Sequence, residues 1–515
     1  MNSTFDMVAK TFQGLEAVLA DELRALGAED VAPGKRMVSF RGDLALMYRA
    51  NMCCRTALRI LKPFLTFEAA DADRLYAAAK AFDWSTVLRV DQSFVIDTTV
   101  FGDDFRNSQF VTYRIKDAIV DWFRDHDPEE RRPRVGVEGA DIYINVHIAG
   151  EHVTLSLDSS GESLHRRGWR TAQTEAPINE VLAAGILLIA GYDGSTPLVD
   201  PMCGSGTFAI EGAMIAAGIN PGVYRKHFAF ENWPDFDAEL LESVYNDDSR
   251  ERTPEFPIVA ADINANAIEI ARRNARSAGV ERYITFERRP IADWTEAPRP
   301  AGILVTNPPY GRRIGADDMY ELYRTIGTKL KHVFTGYKCW VIGYKDEYFH
   351  EIGLAPSEKI AVNNGGLDCE LREYVIFEGN KKEFRAAGGK LKKERPAAPA
   401  KAPRGPRRES RETPGARFDK AFRRDAERSD RFPRRDGDKP FRRDAERPDR
   451  FPRHDGDKPE ERRARSPRGE QSSSGRPVSV GRQPSISADK EIIINRPAWR
   501  ARKNKNQSSD DNTQS

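Results

Sequence analysis

A turn rich in glycine follows an apolar run at a point where a ligand could meet the backbone. Asp200, Gly204 and Gly206 lie in DPMCGSGTF (200–208), which directly follows the run Leu198–Val199 in the sequence. Glycines in such a turn let a ligand approach the backbone closely and let the chain change direction tightly. A generic turn between a strand and a helix would look the same. The spacing is not a full GxGxxG fingerprint, so binding of a nicotinamide dinucleotide is not indicated.

Two carboxylates follow the next two runs that resemble strands. Asp262 in VAADIN (259–264) is placed to accept hydrogen bonds from both hydroxyls of a ribose, although Asp262 or Asn264 could instead cap the following helix. Asp293 in IADW (291–294) could accept a hydrogen bond from an adenine amino group, whereas a lone Asp there is more often a turn residue. Together the two positions fit a ligand that carries a ribose and an adenine.

The stretch TNPPYG (306–311) follows a fourth apolar run and could hold an amine. Its two prolines fix the backbone and remove two N–H donors. The Asn307 side chain and the Pro308 carbonyl offer two fixed acceptors, which suit an exocyclic NH₂ group with two hydrogens to donate. Tyr310 offers a flat face on which a base can stack. A rigid loop is the simpler interpretation, but all four stretches carry mutually consistent ligand chemistry.

These four stretches need a scaffold that brings them together. From about Ser163 onward, apolar strand-like runs alternate with segments of helical spacing such as PINEVLAAGILLIAGY (177–192). This alternation predicts an α/β fold, in which a mostly parallel sheet has helices on both faces. Ligands in such sheets bind outside the carboxyl ends of the strands, where the four stretches would lie.

In residues 1–160 the strand-like and helix-like segments are shorter than in the rest of the chain. GLEAVLADELRAL (14–26) has the apolar spacing of one helix face, and DIYINVHIAGEHVTLSLDSSG (141–161) alternates like the two strands of a hairpin. The pattern predicts a small α+β region in front of the α/β domain.

The net charge of +2 is divided unevenly along the chain. Residues 381–515 carry 39 Lys and Arg and 22 Asp and Glu, which is +17, whereas residues 1–380 carry 42 and 57, which is −15. Such asymmetry suggests a nucleic acid or another polyanion as the partner of the basic part.

The basic part is predicted to be a disordered tail. It contains few apolar residues and two 19-residue copies, at 422–440 and 441–459, that differ at two positions. The tail is either a solubilising appendage or a flexible arm whose arginines contact RNA phosphates, and the interleaved acidic residues weaken the second interpretation.

Several segments together resemble one enzyme family. The chain is similar to class I methyltransferases that use S-adenosylmethionine on exocyclic amines, and specifically to RlmL-type enzymes, which methylate N2 of a guanine in large-subunit ribosomal RNA. The segments that carry the resemblance are LHRRGWR (164–170), APINE (176–180), DPMCGSGTFAIE (200–211), TNPPYG (306–311) and NGGLDCELREY (364–374). NPPY alone is less specific, because DNA adenine and protein glutamine methyltransferases share it.

The resemblance implies a domain layout and a single activity. The expected parts are a ferredoxin-like segment at 1–45, an RNA-binding THUMP domain at 46–158, a Rossmann-like methyltransferase domain at 159–380 and the disordered tail at 381–515. Some relatives fuse a second methyltransferase domain, but here the tail follows, so one methylation activity is expected.

The resemblance also implies roles for the residues singled out above. Asn307, Pro308 and Tyr310 would be catalytic, holding the guanine amine and stacking on the base. S-adenosylmethionine would be the cofactor and no metal is expected; the cofactor contacts would be Asp200, Gly204, Gly206, Asp262 and Asp293. The expected partner is 23S ribosomal RNA.

Other features remain ambiguous or point to the cytoplasm. Arg166, Arg167 and Arg170 with Trp169 could contact RNA or pack a linker, with neither favoured. Cys203 has no evident base beside it and is interpreted as a small apolar filler. No membrane segment, secretion signal or paired cysteine pattern is present, which favours a cytoplasmic protein.

Two other functions remain open. The first is a THUMP-type tRNA guanine-N2 methyltransferase, which would perform the same chemistry on a different RNA. The second is a non-catalytic RNA-binding or ribosome-assembly factor, against which the intact Asp262 and Asn307 argue. Methylation of DNA adenine is disfavoured by the RNA-type N-terminal region.

Overall fold

The computed structural model describes residues 3–102, 104–136, 139–311, 316–379 and 381–386. The predicted tail from residue 387 onward, which includes the two 19-residue repeats, lies outside the described residues.

The first part of the chain is built around one mixed sheet. Its strands are β1 (Phe5–Lys10), β2 (Glu29–Gly34), β3 (Met37–Gly42), β4 (Arg59–Glu68), β5 (Ser93–Phe101), β6 (Arg134–Val135), β7 (Ile142–Ala149) and β8 (His152–Asp158). Its helices are α1 (Glu16–Ala25), α2 (Leu44–Cys53), α3 (Ala72–Lys80) and α4 (Ser108–His126), with a 3₁₀ turn at Trp84–Thr86. The strand order is β2-β3-β1-β4-β8-β7-β5-β6.

This sheet runs without a break across the predicted boundary at residues 45 and 46. β4 pairs with β1 on one side and with β8 on the other, with Leu61 opposite both Val8 and Asp158. The apolar faces of the helices pack on the sheet, burying Leu19, Leu23 and Ile115 completely. The expected α+β region is therefore confirmed, and its two segments share one sheet.

The second part of the chain has the predicted α/β architecture. Its strands are β9 (Leu198–Asp200), β10 (Ile258–Asp262), β11 (Ile284–Arg288), β12 (Gly302–Thr306), β13 (Tyr337–Gly343), β14 (Glu358–Asn364) and β15 (Leu367–Val375). Its helices are α5 (Glu180–Ile189), α6 (Thr207–Ala216), α7 (Ala238–Tyr245), α8 (Ala265–Ser277), α9 (Ala316–His332), α10 (Asp346–Glu351) and α11 (Lys381–Ala386). Short 3₁₀ turns lie at Ala229–Asn232, Glu281–Tyr283 and Ile291–Asp293.

The strand order of this second sheet places a crevice at its centre. The order is β11-β10-β9-β12-β13-β15-β14, with β9 to β13 parallel and β15 antiparallel to both of its neighbours. The chain moves outward from β9 through β10 to β11 and returns on the other side of β9 as β12. Ligands bind where the strand order reverses in this way, outside the carboxyl ends of the strands.

Both faces of this sheet are covered, which explains the continuous apolar runs in its strands. Successive side chains of a strand point to opposite faces. Ile303 and Val305 of β12 accordingly join one buried cluster, while Leu304 joins the cluster on the other face. The loops at the strand ends are therefore held on a rigid support.

Buried charged side chains hold the linker between β8 and α5 (residues 159–179) against α6 and the loop that follows α6. Arg167 is 2% exposed and lies 3.3 Å from the Glu211 carboxylate, which is fully buried. Arg225 donates to the carbonyls of Ser160 and Glu162, at 3.1 and 2.8 Å. These contacts make the linker part of the packed interior.

The helix α11 lies inside the predicted tail. The ring of Phe384 stacks on that of Phe377, with centroids 4.3 Å apart. This aromatic contact stabilises the short helix Lys381–Ala386 at the start of the predicted tail. No helix among the described residues combines the length and the apolarity needed to cross a membrane.

Candidate active site

The glycine turn after β9 has the tight geometry expected from its sequence. Gly204 and Gly206 adopt φ values of +53° and +83°, in the left-handed region that favours glycine. A Cβ atom on Gly206 would lie 2.9 Å from the Cβ of Ala271 on α8, so only glycine fits there without displacing that helix. The turn therefore brings its backbone close to the start of α6, where a ligand could contact it.

Asp262 connects the end of β10 to this turn. Its Oδ2 accepts a hydrogen bond from the Gly204 N–H at 2.9 Å, and its Oδ1 accepts one from the Asn264 N–H at 2.8 Å. Asn264, not Asp262, caps α8, since its side chain accepts from the Asn266 N–H at 2.9 Å. Each oxygen of Asp262 keeps a second lone pair for a ligand.

Asp200 is the last residue of β9 and begins the turn. It is 1% exposed, and its Oδ1 faces the Met202 N–H at 3.4 Å. Burial raises the pKa of this carboxyl well above its usual range, and the nearby charge of Asp262 raises it further. Asp200 is thus placed to support the shape of the turn.

Asp293 lies at the same edge of the sheet but farther out. It ends the 3₁₀ turn after β11, the edge strand, and its side chain is exposed. The structure thus places all four predicted loops at the carboxyl ends of β9 to β12, with Asp293 at the rim.

Asn307 presents a buried acceptor at the centre of this edge. It follows β12, which pairs with β9 at the point where the strand order reverses. Its Oδ1 is buried and has no hydrogen-bond partner among the described residues. A donor that reaches this oxygen would therefore meet an acceptor that the described residues leave free.

Tyr310 is held rigidly behind the two prolines. Its hydroxyl accepts a hydrogen bond from Asn364 Nδ2 at 2.8 Å, and its carbonyl accepts one from the Tyr344 hydroxyl at 3.2 Å. The Tyr344 ring also packs edge-on against it, with centroids 5.4 Å apart. Burial raises the pKa of the Tyr310 hydroxyl well above its usual range. The ring is therefore a fixed, neutral platform.

Two residues position the glycine turn through contacts that the sequence did not predict. Asn274 of α8 is fully buried; its Oδ1 accepts from the backbone N–H of Thr171, and its Nδ2 donates to the Ser205 carbonyl at 3.1 Å. Arg170 donates to the hydroxyls of Ser205 and Thr207, both at 2.9 Å. A signal for Asn274 exists in the sequence, because it is a polar residue on the otherwise apolar face of α8.

The arginines of the segment LHRRGWR serve different purposes. Arg167 pairs with Glu211, and Arg170 lies 2.6 Å from the Glu180 carboxylate. Trp169 is completely buried. The linker-packing interpretation therefore holds for these residues, whereas the side chain of Arg166 is 66% exposed.

Cys203 is a free cysteine within the glycine turn, where a thiol would be a candidate nucleophile. Burial raises the pKa of the Cys203 thiol well above its usual value, with Asp200 and Asp262 adding to the shift. A thiolate nucleophile is therefore disfavoured, in line with the filler interpretation. Within the described ranges, no group of three or more His, Cys, Asp and Glu side chains is arranged to hold a metal ion.

Three family models match the chain in consecutive segments. A model of the RlmL ferredoxin-like domain matches residues 6–61, and one of the THUMP domain matches residues 69–158. A model described as the RMKL-like methyltransferase domain matches residues 167–373. The kinds of domain and their order are those implied by the resemblance of the sequence.

Relatives match over the same part of the chain. A candidate RNA methyltransferase of Synechocystis sp. is 40% identical over 372 residues, which cover 72% of this chain and 96% of that protein. A ribosomal RNA large subunit methyltransferase K/L of Syntrophotalea carbinolica is 38% identical over 390 residues, covering 73% of this chain and 54% of that protein. The chain thus spans about half the length of the second relative.

A solved structure shares the architecture. The crystal structure of a candidate methyltransferase complexed with S-adenosylhomocysteine is 30% identical, with a TM-score of 0.66 over 74% of this chain and 100% of that one. S-adenosylhomocysteine is the demethylated form of S-adenosylmethionine. The glycine turn and the free lone pairs of Asp262 fit the methionine and ribose parts of such a cofactor.

Proposed function

Because the chain belongs to the RlmL-type family of S-adenosylmethionine-dependent RNA methyltransferases, we propose that it methylates the exocyclic N2 amine of a guanine in 23S ribosomal RNA. The observation that carries the proposal is the buried, unpartnered Oδ1 of Asn307 at the centre of the carboxyl edge. An amine with two hydrogens matches this oxygen together with the neighbouring Pro308 carbonyl.

The residues of the chain contribute mainly by positioning. S-adenosylmethionine supplies a methyl group activated by a positively charged sulfur. Asn307 and the Pro308 carbonyl accept the two amine hydrogens, which orients the nitrogen lone pair and stabilises the positive charge that develops on the amine. Tyr310 stacks on the base, and its fixed ring restricts where the guanine can lie.

The proposed cofactor contacts lie at the same carboxyl edge of the sheet. We assign Gly204 and Gly206 to the backbone cradle for the methionine part, with Asp200 supporting it. Asp262 holds the ribose hydroxyls and Asp293 faces the adenine at the rim. A guanine within a duplex must first leave its base stack to reach Asn307.

Replacing Asp262 with alanine tests the cofactor assignment. We expect the Kd for S-adenosylmethionine to rise about 100-fold, because hydrogen bonds to a charged carboxylate contribute roughly 1.5–3 kcal/mol each. Isothermal titration calorimetry measures this Kd directly. The Asn266→Ala variant, which changes an exposed side chain at the start of the same helix, should bind as the wild type does. A change below threefold for Asp262→Ala would remove this residue from the cofactor site.

The identity of the target RNA is tested by mass spectrometry of RNA from a deletion strain. We expect one N2-methylguanosine to disappear from 23S ribosomal RNA, while transfer RNA is unchanged. Wild-type protein should restore the modification and Asn307→Ala should not. Loss of a transfer-RNA N2-methylguanosine with intact ribosomal RNA would favour the tRNA enzyme. An unchanged modification profile would favour the non-catalytic assembly factor.

The proposed methylation is assigned to one site. The methyltransferase match of this chain, at residues 167–373, contains both the glycine turn and the NPPY segment of the one site described above.

A further inference from the structure

A second concave feature lies beside the candidate active site. It is a cleft of about 890 Å³ between the linker and the turn that joins β14 to β15. The linker contributes His165 and Arg166, a later loop contributes Lys226 and His227, and the turn contributes Gly365. None of these residues is used in the proposed chemistry.

The cleft shares two walls with the active site. Asn364, which lines the cleft, donates to the hydroxyl of Tyr310 at 2.8 Å. Arg170, which also lines it, donates to Ser205 and Thr207 of the glycine turn. A polymer whose base reached Asn307 would therefore meet this cleft with the adjoining part of its backbone.

The cleft is positively charged within an acidic part of the chain. Its lining includes five Lys and Arg and two Glu, whereas residues 1–380 carry a net charge of −15. Some of these cations serve the fold, since Arg167 and Arg170 form ion pairs with buried or nearly buried carboxylates. The exposed cations Arg166 and Lys226 lie at the surface, where they can reach an anion. Arg166 also forms an ion pair with Glu162, but both side chains are more than half exposed, so the pair is weak and an RNA phosphate can compete for the guanidinium.

The shape of the cleft suits a sugar-phosphate backbone. Its volume is near the upper end of the roughly 300–1,000 Å³ range of pockets for drug-sized ligands. Gly365 and Gly366 form one lip with φ values of +60° and +87°, and no other atom lies within 4 Å of where their Cβ atoms would be. A ribose could approach this bare backbone closely.

We propose that the cleft binds the phosphodiester backbone of single-stranded RNA next to the target base, with Arg166 and Lys226 contacting phosphates. The proposal rests on the proposed RNA methylation but does not depend on which base or which RNA is modified. It assigns these two residues to substrate binding and not to methyl transfer.

The test compares two double variants of the full chain, each of which removes one arginine and one lysine. Arg166→Ala/Lys226→Ala changes the cleft, and Arg282→Ala/Lys338→Ala changes exposed cations near the amino ends of β11 and β13, away from the carboxyl edge. The probe is a 12-nucleotide oligouridylate, and its Kd is measured by fluorescence anisotropy across a salt titration. S-adenosylmethionine binding is measured in parallel.

We expect the cleft variant to bind oligouridylate about tenfold more weakly at physiological salt. The slope of log Kd against log salt should fall by about 1.4, since each phosphate contact on a single strand contributes roughly 0.7. The Kd for S-adenosylmethionine should not change, and the control variant should bind RNA as the wild type does.

Two results would overturn the proposal: equal slopes for the cleft variant and the wild type, or an equal loss in the control variant. A lower salt slope for the cleft variant, combined with no loss of N2-methylguanosine from the RNA of the deletion strain, would support RNA binding in the cleft. The same result would reject guanine N2 as the methylated position. Photo-crosslinking of 4-thiouridine RNA gives a second readout, with crosslinked peptides expected from residues 224–227 and absent in the cleft variant.

Discussion

The Asn307→Ala variant is expected to lose about 10³-fold in kcat for RNA methylation while its Kd for S-adenosylmethionine changes less than about threefold. Removing one preorganised hydrogen-bonding group that faces developing charge typically costs roughly 10²–10³ in rate. Asn307 should lie at the upper end, because its Oδ1 is buried and has no other partner within the described residues. Single-turnover methylation and calorimetric cofactor binding measure the two quantities.

The variant should leave the fold intact. Removing the side chain deletes a buried oxygen that has no hydrogen-bond partner among the described residues, so the free energy of unfolding should stay the same or rise slightly. This gain in stability is a signature that a structural asparagine would not show. Asn246→Ala, at the exposed end of α7, serves as the control and should change neither rate nor stability. Near wild-type methylation by Asn307→Ala would show that another group holds the amine.

The positions of the site loops could be predicted because each has a local signature. Asp200, Asp262 and Asn307 each end or follow a short apolar run, and parallel strands bring such ends to one edge. Strand–helix alternation was enough to predict that arrangement. The reason is that both the strands and their loops are encoded by neighbouring residues.

The use of each side chain at that edge depends on contacts between distant segments. The sequence left open whether Asp262 or Asn264 caps α8. In the structure Asn264 caps it, and Asp262 accepts from Gly204, which lies 58 positions earlier. The roles of Arg170 and Asn274 beside the glycine turn were not predicted for the same reason, since their partners lie 35 to 37 and 69 to 103 positions away.

Edge strands were the weakest point of the fold prediction. β2, β6 and β14 lie at the edges of their sheets and were not predicted, nor was β15, which pairs with β14. The sequence of β2, EDVAPG, contains proline and glycine, and Asp30 adopts a φ of +50°. An edge strand tolerates these residues because one side of it needs no partner, so it lacks the apolar alternation that identifies inner strands.

Glu211→Ala is expected to lower the free energy of unfolding by about 3–5 kcal/mol. Glu211 is fully buried on α6 and pairs with Arg167, which is itself 2% exposed. Removing the carboxylate leaves a buried guanidinium without a counter-charge, and breaking such a pair typically costs this much. Urea unfolding followed by circular dichroism measures the change.

Two further variants test how much of this loss is due to the negative charge of Glu211 and how much to its burial. Glu211→Gln keeps a hydrogen-bond acceptor without the charge, so we expect an intermediate loss of about 1–3 kcal/mol. Glu162→Ala breaks the ion pair with Arg166 in the same linker, but that pair is exposed, with side chains 54% and 66% accessible, and should contribute at most about 1 kcal/mol. If Glu211→Ala were no more destabilising than Glu162→Ala, the Arg167–Glu211 pair would not be what holds the linker on α6. In that case the carbonyl contacts of Arg225, which lies in the loop after α6, would have to hold the linker in place.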